Sequence, residues 1–124
     1  NASLWHPNFR EYMTKIVEGI GKKMPLEVKK PIYQNAFMAK TEIYRDYVTD
    51  YLNPAMELIK NDPEINKICM QDSNYSQLMR QEAASPEYLQ EKLGVPYYPM
   101  ATFLLERLFS IFLNKYTEIS CKHL

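Results

Sequence analysis

Glycine, cysteine and net charge are all scarce in this sequence, and each shortage removes a class of function. Three glycines in 124 residues leave no Gly-rich loop to wrap backbone N–H groups around a phosphate, and neither a GxSxG nor an HExxH pattern occurs. No Asp-x-Asp pair is present to bridge a metal to a nucleotide diphosphate, so the chain is not expected to use a nucleotide unaided. Fifteen basic residues balance fifteen acidic ones, which gives no support for the phosphate neutralisation that dominates nucleic-acid affinity. Nucleic acids and anionic membrane surfaces are therefore disfavoured as partners.

The two cysteines, Cys69 and Cys121, are far apart and lack the CxxC or histidine pattern that zinc requires. They read as buried free thiols, and no metal site is expected. His6 and His123 lie near the two ends with no serine or cysteine nucleophile placed to work with them, so structural or solvent-exposed roles are favoured over a catalytic triad. The sequons at Asn1 and Asn74 read as chance matches, because no basic segment followed by an apolar one marks a secretory signal. No apolar run approaches the roughly 20 residues that span a bilayer. A cytoplasmic location and no transmembrane segment are the expectations. Asn1-Ala2 reads as a remnant of tag cleavage, leaving one domain over residues 3–124 that is expected to be the C-terminal fragment of a longer protein.

What is present is an ordinary globular composition, 46% hydrophobic and 24% charged, with ten tyrosines as the excess. A chain this long can bury roughly two-thirds of its unfolded surface around one core. Phe9, Tyr12, Met13, Ile16, Val17 and Ile20 repeat at three-and-four spacing, which predicts an amphipathic helix from Pro7 to Lys22. The segment around Tyr33, Asn35 and Phe37 is too short for a helix between its breakers and predicts a buried extended piece. Thr41 is expected to cap the next helix with its hydroxyl. That helix carries Tyr44, Tyr47, Val48, Tyr51, Leu52, Ala55, Met56 and Ile59, and Pro54 predicts a kink near Asp50 to Leu52.

Asp62-Pro63 and Ser85-Pro86-Glu87 are cap-then-proline helix starts, the second helix ending at Gly94. Between them Tyr75, Leu78 and Met79 anchor a short helix. "VPYYP" forces an extended passage, a long helix follows from Met100 to Lys115, and the alternation after Tyr116 predicts a terminal strand. The fold class expected is mainly α: about five or six helices around one core with one or two short β segments.

Two features bear on chemistry. The stripe of Tyr44, Tyr47 and Tyr51 offers faces on which sugar rings could stack, but its helical spacing beside Val48 and Leu52 favours core packing. Glu106 and Arg107 sit inside "TFLLERLFSIFLN". At about 100° per residue the apolar residues of that helix cover roughly 200° of its girth, and Glu106, Ser110, Asn114 and Arg107 share a strip about 100° wide with Phe103. A helix apolar over so much of its surface is the central element of a small core. Its strip must then face solvent, a cleft or an internal network, with a structural ion pair favoured over a cleft-lining role.

The order "YQNAFMAKTEIYRDYVTDYLNPAMELI", then "YYPMATFLLERLFSIFLNK", resembles the C-terminal part of bacterial glycosyltransferases encoded in capsular and exopolysaccharide biosynthesis loci. The matching positions are Asn35, Phe37 and Met38, and Phe103, Leu104, Glu106, Arg107 and Leu108; Ala36 departs from the methionine common there. The resemblance implies a nucleotide-sugar-binding half upstream, carrying any divalent metal, with a nucleotide sugar and a glycan acceptor as partners of the full-length protein. It implies that this helical portion holds no cofactor and is inactive alone. Glu106 is then the candidate catalytic base, and Asn35 and Arg107 are candidates for substrate binding. The alternative is a stand-alone helical protein-interaction domain that uses the tyrosine-rich helix or the strip of the last helix.

Overall fold

The computed structural model describes residues 8–28 and 38–116, and in them six helices account for the regular structure, with no sheet. The first, α1, spans Phe9–Gly19. α2, Thr41–Tyr47, continues through a π-helical turn, Val48–Leu52, into α3, Asn53–Asn61, making one uninterrupted helix. Then come α4, Pro63–Met70, the short α5, Tyr75–Leu78, α6, Pro86–Leu93, and α7, Met100–Leu113.

The expected mainly helical class holds, whereas the short β segments are not supported. The only β pairing among the described residues is an isolated antiparallel bridge, Asp72 with Pro99. The expected segments around Asn35 and after Tyr116 lie outside the described residues.

Local chemistry explains most boundaries. Asp62 sits in extended backbone and its Oδ1 accepts from the N–H groups of Glu64 and Ile65 at 2.9 and 3.1 Å, two of the donors that a helix start leaves unpaired. Ser85 does the same for Tyr88 at 3.2 Å. Gly94 closes α6 with φ of 80°, the left-handed conformation that glycine adopts without strain. Thr41 is not a cap: Lys40 takes the capping position, with φ −59° and ψ 144° and no side-chain bond. Pro54 does disturb its helix, but as a slip in register. The N–H of Asn53 reaches back five residues to the Val48 carbonyl, widening the turn just before the residue that has no N–H to give.

α7 is the centre. It packs against α4, α1 and the π-helical turn, and Leu104, Leu108 and Phe112 are fully buried. Tyr47 meets Phe109 edge-on at 4.8 Å between ring centroids, and Tyr51 meets Phe112 likewise at 5.3 Å, geometries that aromatic quadrupoles favour. Burial pushes the Tyr47 hydroxyl up to about 12, with Tyr44 adding to the effect. The tyrosine stripe therefore divides: Tyr47 and Tyr51 serve the core, and Tyr44 is exposed. From the other side α1 approaches α3 so closely at Gly19 that a Cβ there would lie 2.5 Å from Leu58 Cδ2. An ion pair of 2.7 Å between Lys15 and Glu64 links α1 to α4 across the surface.

Candidate site on the last helix

The strip of α7 changes character along its length. Phe103, Glu106 and Arg107, in its first half, are partly exposed. One turn further on Ser110 is fully buried, because from Leu108 to Leu113 the helix is enclosed on every side. Asn114, at the C-terminal end, donates its Nδ2–H to the main-chain carbonyl of Glu27 at 2.6 Å. The strip is thus neither a wet edge nor a continuous cleft. It is open near Glu106 and closed beyond it.

Burial pushes the Glu106 carboxyl above its ordinary value, and the positive charge of Arg107 pulls it partway back. Desolvation acts on the charged form, so the order of these two effects means that the protein disfavours the carboxylate more than Arg107 favours it. Adjacent residues on a helix point in different directions, and the two side chains form no ion pair within bonding distance. Among the described residues no hydrogen bond or ion pair reaches the Glu106 carboxylate. Arg107 and Ser110 each have an interaction partner. Of the three sequence-predicted site residues, the fold brings Glu106 and Arg107 to the open half of the strip, and Asn35 lies outside the described residues.

One group that sequence reasoning passed over stands beside this opening. The residues before α5 are knitted to those before α7. Ser73 N–H and Oγ–H both donate to the Tyr98 carbonyl, at 3.1 and 2.7 Å, and Met100 N–H donates to the Gln71 carbonyl at 2.9 Å. The result brings Tyr75 against Tyr98, with ring centroids 4.8 Å apart, and against Phe103 at 5.4 Å. Phe103 lies one turn before Glu106. The signal in the sequence was the paired tyrosines of "VPYYP", but their partner Tyr75 is 22 or more residues away and nothing in the local pattern joins them.

Among the described residues no helix is long and apolar enough to cross a membrane, and no three acidic, histidine or cysteine side chains converge as metal ligands would. Comparison with protein-family models, curated proteins and solved structures gave no match.

Proposed function

We propose that this chain is the C-terminal helical portion of a glycosyltransferase of surface polysaccharide synthesis. In this reading an upstream half binds the nucleotide sugar, with a divalent metal there, and this portion supplies the acceptor side of the cleft. The observation that carries the reading is the state of Glu106. Its carboxyl is partly buried, is held above its ordinary pKa by that burial although the Arg107 charge offsets part of the effect, and accepts no hydrogen bond or ion pair among the described residues. A carboxyl whose pKa burial shifts upward at an open stretch of surface is a candidate functional group.

A carboxylate made more basic in this way suits the removal of a proton from an acceptor hydroxyl. The hydroxyl oxygen would attack the anomeric carbon as the bond to the departing diphosphate breaks, and the proton would pass to Glu106. Arg107 beside it offers a fixed positive charge with planar donors for a substrate oxygen, and Asn35 belongs with them in the resemblance.

The interaction-domain alternative draws less support. Tyr47 and Tyr51, which would have formed its aromatic surface, face Phe109 and Phe112 in the core, and Tyr44 is left exposed without them.

The test uses the full-length protein. Nucleotide sugars with Mn²⁺ or Mg²⁺ should raise its melting temperature, since ligand binding to the folded state stabilises it. Glu106→Ala should then lower transfer while leaving the melting temperature of the free protein unchanged or higher. A matching fall in melting temperature would make Glu106 a structural residue and sink the assignment.

A further inference from the structure

We infer that residues 71–99 form a cap over the first half of α7 that opens as one unit while the helical core stays folded. The inference goes beyond the transfer reading and does not rest on it. Among the described residues, no side chain from Met70 to Pro99 belongs to the hydrophobic core or packs against it, although Cys69 and Met100, which flank the span, are both core members. Within the span only Ser73 and Leu89 are buried, and Leu78, Tyr88 and Leu93 are exposed. The extensive helix-to-helix contacts likewise join α1, α2, α3, α4 and α7 and leave out α5 and α6. A segment that contributes so little buried apolar area is where a folded chain opens first.

What holds the span together is largely polar, and it converges on Tyr98. The Tyr98 carbonyl accepts from the Ser73 N–H and Oγ–H, closing the neck where the chain leaves α4 and later enters α7. Its ring meets Tyr75 at the head of α5. Its hydroxyl accepts from the Ala84 N–H at 3.0 Å, directly before Ser85, the cap of α6. One residue thus ties the neck to both short helices, so none of the three comes apart without disturbing the others. Across the same neck the Tyr97 hydroxyl donates to the Met70 carbonyl at 2.8 Å, and Met100 N–H donates to Gln71. Bonds of this kind are exchanged for water at modest net cost, unlike buried apolar contacts. Opening also releases the Ser76 hydroxyl, which is shut off from solvent with no hydrogen-bond partner among the described residues, a state that folded proteins rarely keep. The Tyr75 ring rests on Phe103, one helical turn before Glu106. Each opening therefore bares the approach to the open half of the strip.

The experiment is amide hydrogen exchange of this chain, read by NMR under conditions where each rate reports an opening equilibrium. The hydrogen-bonded amides of Ser73, Met79, Ala83, Leu89 and Gly94 should share one degree of protection, lower than that of the amides within α1 and α7. Tyr98→Phe removes only the hydroxyl that holds Ala84 and leaves the core untouched. It should speed exchange at all five amides by one common factor, roughly five-fold for the loss of a single hydrogen bond, and leave α7 unchanged. Ser85→Ala, which weakens the start of α6 alone, should carry the same signature to Ser73 and Met79 at the far end of the unit. Acceleration confined to Ala84 in the first variant, or to α6 in the second, would show that the pieces fray separately and overturn the cap. Equal acceleration in α1 and α7 would overturn it from the other side, because the span would then open only when the whole chain unfolds.

Discussion

Asn114, just past the end of α7, donates a 2.6 Å hydrogen bond to the carbonyl of Glu27, and Arg10 on α1 donates one of 2.7 Å to the carbonyl of Pro25. Two side chains from different helices thus hold the same stretch, which leaves α1 through Gly21 at φ of 80°. Between them Leu26 is almost wholly exposed, at 95%, so apolar burial is not what keeps that residue in place.

Asn114→Ala should therefore loosen residues 24–28 specifically. Loss of a bond of this kind costs about 1 kcal/mol, and amide exchange in that stretch should speed up while exchange within α7 stays as it was. Unchanged exchange there would mean that Arg10 alone suffices.

Phe112 is fully buried and touches the rings of Tyr47, Tyr51, Phe109 and Tyr116. Truncation to alanine loses its transfer energy and leaves a cavity, a cost of about 3–5 kcal/mol. Set against a total stability of about 5–15 kcal/mol, that should bring Phe112→Ala close to unfolding in a urea titration. Phe112→Leu should avoid most of that loss, because the neighbouring rings can close on it.

Glu106→Gln should stabilise the chain at neutral pH. Burial raises the folded-state pKa of this carboxyl above 4.5, so the folded state holds the proton more tightly than the unfolded state does. The contribution of the group to stability is then full in acid and is lost as pH rises through the folded value. Glutamine removes that loss, so the variant should melt higher at neutral pH, and the difference should fade below pH 4.5, where glutamate too is neutral. The gain should be small because solvent still reaches the group. Identical melting curves at both pH values would show that the carboxyl is not desolvated.

Cys69 is fully buried and burial pushes its thiol up to about 11. At pH 8 only roughly one part in a thousand would be thiolate, the reactive form. In a Cys121→Ser background, Ellman's reagent should therefore report no thiol until denaturant is added, and then one. Rapid labelling of the native chain would contradict this burial.

How far the sequence could be read depended on the range of the cause. Asp62 and Ser85 cap their helices as their sequence patterns predict, because a cap needs only a side-chain oxygen and an N–H two or three residues away. Thr41 has the same hydroxyl and fails as a cap, since the preceding Lys40 takes the extended backbone that starts the helix. Pro54 made some disturbance certain, but whether it bends the helix or slips its register depends on what the neighbouring turns pack against.

The candidate site was legible to the same extent. The wheel put Glu106, Arg107, Ser110 and Asn114 on one strip because helical spacing is fixed by backbone geometry. It could not say that Ser110 would be enclosed and Glu106 left open, because that depends on where other elements end against α7.

By itself the sequence determined that this chain is mainly helical, that its last long helix is the core, and that two charges on that helix share one side. These follow from residue spacing and hydrogen bonds between near neighbours. Only the tertiary structure decided which tyrosines the core absorbs, where along α7 the strip closes, and that Tyr75 and Tyr98 meet beside it. Those are contacts between residues distant in sequence, and burial, which sets the desolvation of Glu106, is a property of the packed chain rather than of any segment.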